Sequence, residues 1–165
     1  MTIQIGDTFP DATLSESVEF GDSCPLAPQT FSAAEALKGK KVVIFGLPGA
    51  YTPTCSAKHL PGYVDKAAEL KAQGIDEIAC TAVNDPFVMG AWGKASGSAD
   101  VTMLADGNGD FAEALGLTMD GSGFGLGKRG QRFSMVVNDG VVEQLHVEGP
   151  GEFKVSSAEY MLDQL

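Results

Sequence analysis

An α/β fold built around a mixed sheet is the architecture this sequence predicts, and three observations predict it. From residue 41 onward, short apolar runs alternate with stretches of helical periodicity, the pattern of parallel strands joined by crossover helices. Further on, the strand-like runs 132–137 and 141–147 are separated only by Asn138-Asp139-Gly140. These residues tolerate the positive φ of a hairpin turn and so demand antiparallel pairing. A last helix, capped by Ser156 or Ser157 and ending at Leu165, closes the chain. With 165 residues, 44% of them hydrophobic and 20% charged, the sequence suits one domain over 1–165 with a sizeable core.

Taken in order, residues 1–31 read as irregular, pairing as short edge strands. Pro10, Pro25 and Pro28 interrupt the pattern, and Val18-Glu19-Phe20 is the one clear strand candidate. Cys24 falls in the turn Asp22-Ser23-Cys24-Pro25, where exposure is expected. Ser32 with Glu35 three residues on forms a capping box, and Gly39 closes a two-turn helix. Lys41 to Phe45 is a continuous apolar run, the mark of a strand covered on both faces. Beyond a Gly- and Pro-rich turn, Leu60, Tyr63, Val64, Ala67, Ala68 and Leu70 recur at helical spacing. Pro61 is expected to kink this helix without ending it, and Gly74 to stop it. Glu77 to Val83 is the next strand. Asp85 as N-cap and Pro86 at the first helical position then open a helix to about Lys94. Val101 to Leu104 is a third buried strand, Asp110 to Leu115 a short helix, and 121–127 a Gly-rich loop.

The resulting order, βαβαβα followed by ββα, is the plan of a thioredoxin-like fold, with mixed central sheet, flanking helices and N-terminal β additions. A doubly wound flavodoxin-like sheet competes with it, but there a helix would link the last strands instead of a tight turn.

Composition narrows the function. A net charge of −11 argues against nucleic acid and against an anionic membrane surface, since both need clustered Lys and Arg. No apolar run approaches the roughly 20 residues of a membrane span, and residues 1–7 lack the basic and apolar regions of a secretory signal. The expectation is a soluble, cytoplasmic protein. Three cysteines and two histidines, with no Cys-x-x-Cys pair, predict neither a disulfide scaffold nor a metal site, and no cofactor. A reducing compartment and at least one working thiol fit better.

That thiol is Cys55. Thr52 reads as an N-cap and Pro53 as the first helical residue, which puts Cys55 in the first turn. There the free backbone N–H groups and the positive end of the helix dipole favour the thiolate, the nucleophilic form. The blander reading is a small buried core residue. His59, four residues on, falls on the same helix face, where it either tunes the thiolate and lines the pocket or simply packs.

The string Pro48-x-x-x-Thr52-x-x-Cys55 matches the signature of the peroxiredoxins. The wider segment from Phe45 to Ser56, with His59-Leu60-Pro61-Gly62, resembles the peroxiredoxin 5 (type II) subfamily. Likeness continues through Ala82 to Met89, Ala91-Trp92, Leu104-Ala105-Asp106 and Gln131 to Val137. The resemblance implies a peroxidase that reduces hydrogen peroxide and alkyl hydroperoxides. It implies that Cys55 attacks the peroxide and becomes a sulfenic acid, Thr52 hydrogen-bonds the peroxide and the sulfur, Pro48 shields the thiolate, and Arg132 is the active-site arginine. Arg129 and Lys128 are rivals, but only Arg132 directly precedes Phe-Ser-Met, as in the family. Gly49 and Phe124 join His59 as pocket candidates, Phe124 with Leu47 and Tyr51 because apolar walls would admit organic peroxides. A homodimer is implied as well.

Recycling is less constrained. No cysteine follows Cys80, so the C-terminal resolving cysteine of some subfamily members is missing. Cys80 matches a position where the subfamily often has cysteine, but inside a buried strand it would need local unfolding to reach Cys55. Cys24 lies where the resemblance is poor. The expectation is resolution by an external thiol, glutathione with a separate glutaredoxin ahead of thioredoxin. The Gly-rich loop lacks the order of a phosphate-binding loop. Two rival functions are a cysteine hydrolase using His59 or His146, for which no third orienting group is visible, and a non-enzymatic redox sensor on the same scaffold.

Overall fold

The computed structural model describes residues 1–22 and 24–165. Its main sheet has seven strands. β1 (Thr13–Phe20) and β2 (Pro25–Ser32) form an N-terminal hairpin, followed by α1 (Ala33–Ala36) and β3 (Lys41–Gly46). A π-helical turn (Cys55–His59) leads into α2 (Leu60–Ala72), then come β4 (Glu77–Ala82), α3 (Pro86–Ala95), β5 (Thr102–Ala105) and α4 (Asp110–Leu115). A small separate ribbon, β6 (Thr118–Asp120) and β7 (Lys128–Gly130), precedes β8 (Phe133–Asn138), β9 (Val141–Val147) and α5 (Ala158–Gln164). The strand order is β2-β1-β5-β4-β3-β8-β9. β3, β4 and β5 pair in parallel, while β8 and β9 add antiparallel beyond β3 and β1 adds antiparallel beyond β5. This is the expected mixed thioredoxin-like sheet, and it rules out the flavodoxin-like alternative.

Period-two alternation along the strands divides the core into two layers. Val43, Phe45, Ile78, Cys80 and Val136 face the layer that α2, α3 and α5 supply with Leu60, Tyr63, Leu70, Met89, Trp92 and Met161. Val42, Ile44, Ala79, Met135 and Val137 face the other layer, with Leu37, Phe111 and Leu115. The expected turn between β8 and β9 forms, with Asp139 at φ 47° and Gly140 at φ 79°.

Three expectations need correction. The region read as irregular holds a hairpin of two eight-residue strands, β1 paired with β2 from Thr13↔Ser32 to Phe20↔Pro25. Its prolines Pro25 and Pro28 are tolerated because β2 is an edge strand, whose outward-pointing N–H groups have no ladder partner to lose. The two-turn helix after Ser32 has only four residues. Ser32 Oγ does accept from the Glu35 N–H, but Lys38 and Lys40 then donate three residues back and tighten the chain into turns. The Gly-rich stretch 121–127 is a loop as expected, but it holds a 3₁₀ turn at Ser122–Phe124 and connects a β6–β7 ribbon that the sequence does not predict.

Candidate active site

The end of β3 delivers the chain to a turn at 47–52 that other elements hold. Asn84, after β4, accepts the Ala50 N–H at 2.9 Å on its side-chain oxygen. Arg129, in β7, donates from Nη1 to the Pro48 carbonyl at 3.3 Å and from Nε to the Leu126 carbonyl at 2.9 Å. Gly49 leaves room for this approach: a Cβ there would lie 2.7 Å from Arg129 Nη1 and would push that guanidinium aside. Thr52 stands where the helix begins, its carbonyl taking the Ser56 N–H. Its hydroxyl does not cap that helix: it donates to the Gly49 carbonyl at 2.7 Å. The hydroxyl hydrogen is thereby committed to the turn, and the oxygen's lone pairs stay available as acceptors.

Cys55 opens the π-helical turn and is buried. The Leu60 N–H donates to the Cys55 carbonyl five residues back, so the ladder has already shifted by one residue when it reaches Pro61, which has no N–H to give. The kink expected at Pro61 is thus taken up as a widened turn on its N-terminal side.

Arg132, just ahead of β8, reaches this thiol: its Nη2 donates to Cys55 Sγ at 3.3 Å, and its Nη1 meets His59 Nδ1 at 2.9 Å. His59 is fully buried among Phe45, Phe153 and Tyr63, with ring centroids 4.9, 5.1 and 5.7 Å away. His59 Nε2 lies 3.0 Å from the Ser156 carbonyl, which can only accept, while Arg132 can only donate. The ring is therefore the neutral tautomer with its proton on Nε2 and a lone pair on Nδ1. Burial first, then the Arg132 charge, lower its pKa to about 3. Tyr63 also donates to the Ser156 carbonyl at 3.0 Å, and burial pushes its phenol above the ordinary value, keeping it protonated.

This burial has a thermodynamic consequence. The unfolded chain binds the His59 proton near 6.5 and the folded one only near 3, so between these values the unfolded state holds more protons. Stability should therefore fall as pH drops through that window, by up to about 1.4 kcal/mol per pH unit from this group. Urea titrations at pH 4 to 7 should show a shallower pH slope for His59→Gln; an unaltered slope would contradict the buried neutral ring.

The other candidates are distributed less compactly. Cys80 lies in central β4, opposite Phe45, fully buried, and burial drives its thiol well above the ordinary value. Cys24 is exposed beside β2, four strand intervals from β3, which is about 19 Å of sheet against a disulfide Cα limit of about 7 Å. Leu47 is buried, but Tyr51 is 58% and Phe124 84% exposed, so neither closes over the thiol as an apolar wall. His146 lies on β9, separated by β8 from the strand β3 that leads into the Cys55 turn, and its polar and ring contacts are Gln144 and Tyr160, not Cys55, so nothing pairs it with the thiol as a hydrolase would need.

Several residues of the site had no sequence role assigned. Trp92 Nε1 donates to Ser56 Oγ at 3.1 Å, beside the cysteine. Asn84 clamps the turn together with Arg129, which the sequence offers only as a rival to Arg132, and Phe153 places its ring 5.6 Å from the Arg132 guanidinium. Asn84 and Trp92 fall in the blocks that resemble the family, the only signal that marks them. Phe153 carries none.

A buried cysteine at a helix start, gripped by an arginine just ahead of a neighbouring strand of a thioredoxin-like sheet, defines a thiol-based redox enzyme. A family model described as Redoxin matches residues 4–162. The chain is 48% identical to Peroxiredoxin-2B of Arabidopsis thaliana, over 99% of this chain and 98% of that one. It is 49% identical to the chloroplastic Peroxiredoxin-2E-2 of Oryza sativa subsp. japonica, over 99% of this chain and 73% of the relative. The structure of reduced Prx3 from Vibrio vulnificus in complex with hydrogen peroxide superposes with a TM-score of 0.92 at 48% identity, covering 99% of each chain. The chain belongs to the peroxiredoxin family and is a thiol peroxidase.

Proposed function

We propose that this peroxidase reduces hydrogen peroxide and alkyl hydroperoxides through Cys55 and returns to the thiol with glutathione and glutaredoxin. The observation that carries the reading is the Arg132–Cys55 contact of 3.3 Å. The Cys55 thiolate attacks one peroxide oxygen, the O–O bond breaks, and the sulfur becomes a sulfenic acid. The other oxygen leaves with the bonding electrons and takes up a proton as water or alcohol. A guanidinium beside the sulfur is placed to stabilise that developing charge. Thr52, its hydrogen held by Gly49, would accept a hydrogen bond from the peroxide O–H. Pro48, held in its turn by Arg129, would shield the thiolate.

An external thiol then condenses with the sulfenic acid, releasing water and leaving a mixed disulfide for glutaredoxin to reduce. Cys24 is too far away, and Cys80 is locked in the central sheet as a raised-pKa thiol, which support this route over an internal disulfide. Peroxide-treated protein with excess glutathione should carry one glutathione on Cys55 by mass spectrometry. A Cys55–Cys80 disulfide as the main product, or turnover restored only by thioredoxin, would overturn the proposed reductant. We place the enzyme in the cytoplasm as a homodimer. Exposed Tyr51, Phe87 and Phe124 offer apolar area for such an interface, and a monomer by sedimentation would refute it.

A further inference from the structure

We infer that Glu148 is a remote positioning residue for the peroxide-reducing centre. It gathers the backbone of 154–156, fixes the carbonyl that holds His59, and through His59 aims the Arg132 guanidinium at Cys55. This rests on the reading above that Arg132 assists Cys55.

Glu148 follows β9 and is buried. Its Oε1 accepts four hydrogen bonds: from the N–H groups of Lys154 at 2.6 Å, Val155 at 2.7 Å and Ser156 at 2.9 Å, and from Ser156 Oγ at 2.9 Å. Its Oε2 is buried without a partner among the described residues. Burial pushes this carboxyl's pKa up, but the hydrogen bonds outweigh it and the net is downward. Residues 149–157 lie in no helix or strand, so sheet or helix ladders do not hold these three N–H groups, and Glu148 does.

Each link from there to the sulfur has one solution. The Ser156 carbonyl can only accept, so His59 carries its proton on Nε2. Nδ1 is then a lone pair and takes an Arg132 Nη1 hydrogen. With Nη1 so engaged, the planar guanidinium turns Nη2 toward Cys55 Sγ. The same segment contributes Phe153 at 5.6 Å from the guanidinium carbon. Glu148 also grips Arg132 directly, its N–H donating to the Arg132 carbonyl at 2.9 Å. Releasing the carboxylate frees the segment that supplies two of the contacts on Arg132, His59 through Ser156 and Phe153 itself, without touching any group that meets the peroxide.

The test compares Glu148→Ala and Glu148→Gln in the full-length protein. Stopped-flow fluorescence of Trp92, the single tryptophan, follows the reaction with hydrogen peroxide. Misplacing a positioned group by an ångström costs up to about a hundredfold. We expect a loss of roughly that size for Glu148→Ala and about tenfold for Glu148→Gln, whose amide oxygen still accepts the N–H groups. In a folded variant the His59 Nε2–H signal, seen by ¹⁵N-edited NMR and assigned with His59→Asn, should disappear along with the rate. A Glu148 variant acting through Arg132 should add less than about twofold to the loss in an Arg132→Ala background, because residues in one network are not additive. A folded Glu148→Ala that reacts at the wild-type rate, or one whose loss multiplies fully with that of Arg132→Ala, overturns the inference. If Glu148→Ala fails to fold, Glu148→Gln and Ser156→Ala decide on the same readouts. Arg132→Ala at the wild-type rate would defeat the peroxidase reading of Arg132 and this inference together. A slow Arg132→Ala beside a wild-type-rate Glu148→Ala defeats only this one.

Discussion

Cys55→Ser should reduce peroxide consumption to the uncatalysed background, measured with hydrogen peroxide, glutathione and glutaredoxin. A serine hydroxyl in the same first helical turn stays protonated at neutral pH and is a poor nucleophile toward a soft O–O bond, whereas a thiolate is a good one. The substitution removes one sulfur from a site whose partners come from other elements, so the fold should survive. Unchanged far-UV circular dichroism beside zero turnover is the expected pair of results. Cys80→Ser is the matched control: it alters a buried thiol of β4 and should keep peroxide turnover with the glutathione system. Residual turnover in Cys55→Ser would move the reaction to another thiol and remove the Arg132–Cys55 contact as its basis.

Arg132→Ala carries the second largest expected effect, a fall of about 10²–10³ in the second-order rate constant with peroxide, the usual cost of deleting one donor aimed at developing charge. The guanidinium serves two acceptors at once, Cys55 Sγ at 3.3 Å and His59 Nδ1 at 2.9 Å. Lysine offers a single ammonium on a flexible stem and cannot span that fork. Arg132→Lys should therefore recover only part of the loss. Rapid-mixing kinetics at saturating reductant isolate the peroxide step. Unchanged kinetics in Arg132→Ala would take the residue out of the site.

The fold was legible where signals are local. The parallel core could be read because β3, β4 and β5 are short apolar runs bounded by caps such as Asp85, which accepts the Val88 N–H at 2.9 Å. The N-terminal hairpin could not, because whether Pro25 and Pro28 break a strand depends on whether that strand lies at an edge, and edge position is a property of the assembled sheet. The helix after Ser32 is shorter than its cap predicts for a similar reason. Its cap is present in sequence, but Ser32 Oγ also donates to Asp11 Oδ1 at 2.6 Å, and Gly39 is drawn to Asp139, a hundred residues away.

The site divides along the same line. By itself, the sequence determined that Cys55 sits in a first helical turn after a Gly–Pro bend, because bend, proline and cysteine are near neighbours in the chain. Family likeness added Arg132. Only the tertiary structure decided what Arg132 touches, which nitrogen of His59 carries the proton, that Thr52 spends its hydrogen on Gly49, and that Glu148 organises the segment behind them. The contacts of Arg132 and His59 join residues 73, 77 and 97 positions apart. Hydrogen-bond partners are chosen by position and direction in space, and nothing in the spacing of such distant residues records which donor will face which acceptor.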